Sequence, residues 1–335
     1  MESAFAEHAA TADKLKKLFE VVNAEDVVAI LINADPDAMA SAFALKRLFW
    51  RKVKKVDIVR INKIERADNL AFVKIVDLGQ RHIRNYKWSE ASKWALLDSQ
   101  PAHDAQFSKH DLDIVIDHHP TTTPLEAAFI DIREEYGANS TILCEYIRAA
   151  KIKPSPRLAT ALFYGIKTDT NNFVRNTIAN DIDAFRYLYE FANLNIIKKI
   201  ESSELTKKNI PDFKAAMGKL AFINQIAFVH MGKVDNADKL VILADFFMKM
   251  AEATWSIVSG VSDKKLVIIF RNAGFRRNAG KLAKMMFGDT GTAGGHKSTA
   301  RAEIEIQNLK LKSKRQAAIE QYVLKRIKQA RQDLI

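Results

Sequence analysis

The stretch Asp113-Ile114-Val115-Ile116-Asp117-His118-His119-Pro120 sets a short apolar run against a carboxylate and two imidazoles, and proline then ends the pattern. A run of β-branched residues bounded by polar ones reads as an interior strand. Open α/β sheets bind ligands beyond the carboxyl ends of their strands, so Asp117, His118 and His119 lie where chemistry is expected. An isolated His-His pair is more often turn or capping material than a metal ligand. Its surroundings favour the ligand reading.

Working outward, Val27-Val28-Ala29-Ile30-Leu31-Ile32 ends in Asn33-Ala34-Asp35-Pro36-Asp37, and Ala38 through Leu48 then has helical composition and spacing. This is a strand, an acidic turn and a helix. Trp94-Ala95-Leu96-Leu97 ends in Asp98, and Leu162 through Lys167 leads to Thr168-Asp169. Separate apolar segments thus deliver carboxylates or imidazoles to loop mouths. Hard divalent cations want oxygen ligands with some imidazole, and a pair of ions needs a carboxylate able to bridge them. Taken singly, each acid is an ordinary cap or turn residue. Their order along the chain points instead to one site.

These residues resemble the DHH phosphoesterases of the RecJ-like superfamily, in the branch with a DHH-associated C-terminal domain. Asp35-Pro36-Asp37 is similar to the family's first motif, Asp98 to its second, Asp117-His118-His119 to its third and Asp169 to its fourth. Further on, Leu266 through Asn272, Asn278-Ala279-Gly280, Gly294-Gly295-His296-Lys297 and Ala300 resemble the second domain's arginine-bearing strand and glycine-rich histidine motif. The likeness covers about residues 25 to 307 and is greatest to the small oligoribonuclease and 3′-phosphoadenosine 5′-phosphate phosphatase type.

The resemblance implies two manganese ions, with magnesium as the alternative. Asp98 would bridge them, with Asp35 on the first and Asp37, His118 and Asp169 on the second. Asp117 would orient a neighbouring imidazole, His119 would face the scissile phosphate, and metal-activated water would attack phosphorus. Arg271, Gly294, Gly295 and His296 would bind substrate phosphate. The run Phe72 through Val76 also ends in an acid, Asp77, but the polar turn Ser99-Gln100-Pro101-Ala102-His103 after Asp98 matches the family better. Asp77 is then an ordinary strand-end residue. One position departs from the pattern: the family's first motif has His four residues before its first Asp, and here that residue is Leu31. Strand alternation puts 31, 33 and 35 on one side, so the Asn33 amide is a candidate surrogate ligand on a weakened first site. The rival reading is a nucleotide- or RNA-binding protein with an impaired metal site.

The fold class expected is α/β: a mostly parallel sheet with helices on both faces, then a smaller α/β substrate-binding domain. The boundaries expected are 1–195 for the metal-binding domain with its N-terminal helix, 196–211 for the connection, 212–308 for the DHH-associated domain and 309–335 for a basic helical tail. Within the second domain, strands are expected at Ile226 through His230 and Leu266 through Phe270, with an apolar helix from about Leu240 to Trp255. At 335 residues and 48% hydrophobic, the chain is long enough for two cores. It lacks a secretory pattern at its start and any membrane-spanning run, and its single cysteine, Cys144, is expected in a buried helix of a cytoplasmic protein. A net charge of +12 suggests a polyanionic partner without identifying it. The resemblance implies short RNA or a nucleotide as that partner, no membrane, and allows a homodimer. Much of the excess lies in the tail, whose Ile319, Val323, Ile327 and Ala330 form an apolar stripe suited to docking on the body. The pair Arg276-Arg277 is a further candidate for substrate contact.

Overall fold

Five of the six side chains of Val27–Ile32 (β1) are fully shielded, which a strand achieves only when both faces of its sheet are covered. In the computed structural model this strand lies near the middle of a six-stranded sheet of order β3-β2-β1-β4-β5-β6. The others are Lys55–Arg60 (β2), Arg81–His82 (β3), Lys93–Leu97 (β4), Ile114–Asp117 (β5) and Phe129–Ile132 (β6). Every pairing in it is parallel. The structure describes residues 2–64, 66–175, 177–203, 207–273, 277–309, 311, 313 and 315–330, with side chains from residue 10 onward. Arg276 and the tail residues Lys310, Lys312, Lys314 and Arg331 lie outside the described residues.

The chain divides into two units, Met1–Glu204 and Leu205–Ile335. In the first, one sheet face packs against Glu2–Glu20 (α1), Pro36–Leu48 (α2), Ala67–Val76 (α3), Asn139–Ala149 (α4), Pro156–Asp169 (α5), Ala179–Tyr189 (α6) and Leu194–Glu201 (α7). Ile197 and Ile200 of α7 are buried in that core, so residues expected in the connection pack as part of the first unit. The second face is covered by 3-10 helices and their loops, which bury Ile83, Tyr86, Trp94 and Phe107 against Leu31, Leu96 and Val115. Cys144 is fully buried in α4.

The run Phe72 through Val76, read as ending a strand, is helical. Asp77 is the left-handed C-cap of α3, with an exposed side chain beside Arg157, rather than a strand end. Leu162 through Lys167 belongs to α5, a helix buried nearly all round, so its apolar run carries no visible 3.6-residue period.

The second unit is a mixed sheet of order β11-β12-β10-β9-β8-β7. It comprises Ile210–Lys219 (α8), Ala221–Ile223 (β7), Ile226–Lys233 (β8), Asp238–Phe247 (α9), Trp255–Ser262 (β9), Lys265–Asn272 (β10), Ala279–Phe287 (α10), Thr292–Gly295 (β11), Thr299–Glu305 (β12) and Gln316–Gln329 (α11). The helix expected to reach Trp255 stops at Phe247, and Trp255 opens a strand. One face packs against α10 and α11, the other against α8 and α9. The tail helix α11 is docked by buried Ile319, Val323 and Ile327, and Gln316 meets the buried His230 imidazole at 3.1 Å.

Candidate metal centre

The carboxyl edge of the first sheet gathers the charged residues. Asp98 follows β4 directly and turns the chain in the left-handed region, φ +56°, a conformation Asp tolerates better than most residues but at a cost of about 1 kcal/mol. Its backbone N–H still donates to the Ile116 carbonyl at 3.0 Å, so the side chain is fixed by the β4–β5 ladder. His118, just past β5, donates from Nδ1 to the Tyr136 carbonyl at 3.0 Å. A carbonyl can only accept, so Nε2 is the atom left to face the site. It lies 3.3 Å from Asp98 Oδ1 and 3.2 Å from Asp169 Oδ2.

Asp37 completes this group. Its carboxylate accepts from the backbone N–H groups of Asn139 at 2.7 Å and Ser140 at 2.8 Å, which open α4. A helix N-terminus favours a negative charge there. Potential ligand atoms of Asp37, His118 and Asp169 lie within 4.8 Å of one another, as do those of Asp98, His118 and His119. Asp98, Asp37, His118 and Asp169 are thus brought together. Asp35 is not in either group: it is the N-cap of α2, accepting from Ala38 N at 2.9 Å, and acts on the others through its charge. Asp169 ends α5 and is followed by Asn171, Asn172 and Phe173, all with positive φ, so backbone strain is concentrated beside it.

Crowded carboxylates in a buried place make the metal-free site hold protons. Burial, with the nearby Asp169 carboxylate, pushes Asp35 up to about 6 and Asp37 up to about 7. Burial and the charges of Asp37 and Asp35 carry Asp98 well above the usual carboxylate range. For His118 burial works against the charge, but the Asp169 and Asp98 carboxylates outweigh it and hold the pKa up to about 12. Asp98 Oδ1 and His118 Nε2 are buried without an aligned hydrogen-bond partner among the described residues. Such orphaned atoms are rare and costly. The donor set, carboxylate oxygens with one oriented imidazole, fits a hard divalent cation that would replace these protons.

His119 is arranged differently. Its Nδ1 donates to the fully buried Asp117 at 2.8 Å, which leaves Nε2 on a partly exposed ring. The Asp117 interaction raises the His119 pKa. Gln100 holds the pair from behind, donating to Asp117 Oδ2 at 2.8 Å and to the His119 carbonyl at 2.9 Å. His103 stands edge-on to His119 with centroids 5.4 Å apart, its Nδ1 accepting from Gln100 N.

Sequence reading missed Gln100, Tyr136, Asn139 and Ser140 as parts of the site. Gln100 was visible only as part of a polar turn, Asn139-Ser140-Thr141 had the composition of a helix start, and Tyr136 acts through its backbone, which carries no residue-specific signal. Leu31 is fully buried in the apolar second-face core, and Asn33 is exposed.

In the second unit Arg271 pairs with Asp245 of α9 at 2.6 Å. Gly295 has φ +148°, and its carbonyl is so close to Gly280 that a Cβ on Gly280 would overlap it. The His296 carbonyl accepts from Gly280 N at 2.9 Å. His296 is exposed, and Gly294 has open space where a Cβ would stand. The Arg277 carbonyl accepts from Asn272.

A parallel-sheet unit with carboxylates and oriented imidazoles at its carboxyl edge, followed by a mixed-sheet unit, is the arrangement of the RecJ-like DHH fold. Residues 27–166 match the model of the DHH family, N-terminal domain. It is 33% identical over 305 residues to an uncharacterized protein of Methanocaldococcus jannaschii, covering 91% of this chain. The chain spans 63% of that relative's length. In fold it is similar to an exopolyphosphatase-related protein from Bacteroides fragilis, with TM-score 0.69 at 16% identity over 97% of this chain and 98% of the other. RecJ from Thermus thermophilus, solved in complex with Mn2+, gives TM-score 0.50 at 11% identity over 95% of this chain and 55% of RecJ.

Proposed function

We propose that the chain is a manganese-dependent phosphodiesterase or phosphatase acting on short oligonucleotides, linear or cyclic dinucleotides, or nucleotide bisphosphates. The observation that carries this reading is the buried group of Asp98, Asp37 and Asp169 around His118 Nε2, with His118 fixed from behind by the Tyr136 carbonyl. Asp98, Asp37, His118 and Asp169 would hold divalent metal, with Asp35 and Asn33 as the candidates for a weaker first position. Bound metal would supply positive charge to the phosphate oxygens and lower the pKa of an attacking water.

The chain's own residues do the rest. Asp117 and Gln100 fix the His119 ring, so Nε2 is available to donate to a phosphate oxygen or to the leaving oxygen. Asp37 rests on the amides of α4 and so keeps its place whether or not it is charged. In the second unit the exposed His296 and the open space at Gly294 support a phosphate-binding role for that turn, and Arg271 would join it by exchanging Asp245 for substrate.

The rival reading, a nucleotide-binding protein with a crippled centre, is favoured by one observation: Leu31 is sealed in the apolar core, where it offers no ligand. A substrate panel separates the two. Purified protein with manganese is given a 5′-phosphorylated dinucleotide, a cyclic dinucleotide, a 3′,5′-bisphosphonucleoside and a polyphosphate, and products are resolved by chromatography. The proposal expects turnover of at least one nucleotide substrate ahead of polyphosphate. Binding of all nucleotides with turnover of none would favour the rival.

A further inference from the structure

Opposite the metal centre, at the far end of α2, the segment Lys46-Arg47-Leu48-Phe49-Trp50-Arg51-Lys52-Val53-Lys54-Lys55 is rich in cations and contains no acidic residue. Trp50 is 56% exposed. The guanidinium of Arg51 lies 4.2 Å from its ring centroid and that of Arg47 5.0 Å. Lys55 is paired with Asp57. Among the described residues, Lys46, Arg47, Arg51, Lys52 and Lys54 make no ion pair. Arg51, Lys52 and Lys54 are exposed.

Cations in the last turn of a helix complement its macrodipole, which accounts for Lys46 and Arg47. It does not account for Arg51, Lys52 and Lys54, which lie beyond the helix, or for an exposed indole among them. We propose that this surface is an accessory binding site for single-stranded nucleic acid, separate from the catalytic centre. Stacked guanidiniums present planar, pre-oriented donors to phosphates, and an exposed aromatic ring offers a base a sequence-tolerant stacking face. An anionic membrane would also attract the charge, but Trp50 is the only large hydrophobic side chain exposed in the segment, with Leu48 and Phe49 buried, so little apolar surface is available to insert. About 13 residues of helical rise separate Trp50 from Asp37, on the order of 20 Å. The site would therefore engage strands longer than a dinucleotide and leave dinucleotide turnover untouched.

The inference goes beyond the catalytic reading and is tested without it. Binding of a fluorescein-labelled 12-nucleotide single-stranded RNA to the full chain is followed by anisotropy in EDTA, across a salt series. Two variants are compared with the parent: R47E/R51E, and Lys52→Glu with Lys54→Glu. The expected result is at least a tenfold loss of affinity in both, with the slope of log affinity against log salt shallower by about 0.7 for each lost phosphate contact. Turnover of a dinucleotide with metal restored should stay within twofold of the parent. Absence of RNA binding by the parent, or equal binding by both variants, would overturn the proposal. So would loss of binding to phosphatidylserine vesicles with RNA binding intact, which would assign the surface to a membrane.

Discussion

Gly165 lies on α5 where that helix crosses α2, and a Cβ there would overlap Ser140 Oγ and approach Asp37 Oδ1 to 3.1 Å and Ala40 Cβ to 3.3 Å. Asp37 has little room to yield, because both of its oxygens accept backbone amides of α4. Gly165→Ala should therefore pit two effects against each other. Helix propensity favours alanine by about 1 kcal/mol, while overpacking a tight interface costs about 3 kcal/mol at its upper end. The net is a loss of about 2 kcal/mol, or roughly 4–8 °C in Tm for a unit of this size. The site should suffer as well, with metal affinity at least threefold weaker in a calorimetric titration as Asp37 is displaced. Adding Ser140→Ala removes the worst overlap and should restore about half of the lost stability. If Gly165→Ala melts at or above the parent temperature and binds metal equally well, the packing argument that places Asp37 is wrong.

The remaining predictions concern protons, orientation and support. Asp35, Asp37 and Asp98 have raised pKa values in the folded metal-free protein, and so does His118. Each then stabilises the fold fully below its unfolded pKa and loses that contribution as pH rises through the folded one, so metal-free stability should fall from about pH 4 to pH 7 through Asp35 and Asp37 and onward from about pH 6.5 through His118. The rise in Tm caused by a fixed excess of manganese should accordingly be larger at pH 8 than at pH 5.5, and an equal rise at both would contradict proton displacement. Asp117→Asn keeps the shape around Gln100 and His119 but removes the charge that orients the ring; kcat should drop by about 10²–10⁴ with KM and Tm little changed, as measured by steady-state kinetics and thermal unfolding. Arg133 is buried between Asp131 and Glu145 and donates to the Tyr136 hydroxyl. Its replacement by Met leaves Glu145 without a cation and Asp131 with Lys14 alone, and should cost about 3 kcal/mol in chemical denaturation. A loss below 1 kcal/mol would show that the network is dispensable.

Much of the first unit was legible because β1, β4 and β5 are buried on both faces and end abruptly in charge. Short apolar runs are ambiguous, and that is where the reading failed: Phe72 through Val76 is the end of a half-buried helix, too short a run to show the helical period that turns Phe72 and Val76 inward. The assignment of Asp98 over Asp77 rested on a polar turn, and the structure puts Asp77 on an exposed helix cap while Asp98 is buried beside His118. What holds the centre from behind was hidden for a physical reason. The Tyr136 carbonyl and the amides of Asn139 and Ser140 are backbone groups, identical at every residue, and only the path of the chain brings them to His118 and Asp37. In the second unit, the resemblance implied a phosphate-binding role for Arg271 but could not disclose Asp245 as its partner, because that contact spans 26 residues.

The most direct measurement is the release of mononucleotide from a 5′-phosphorylated adenosine dinucleotide by metal-stripped protein as manganese is added, with Asp98→Asn carried alongside. Release that requires the metal, saturates with it and falls by about 10² or more in the variant is the predicted result. Release that proceeds in EDTA, or that is equal in the variant, would contradict a centre built on Asp98. So would a dinucleotide that stays bound and uncut at saturating manganese.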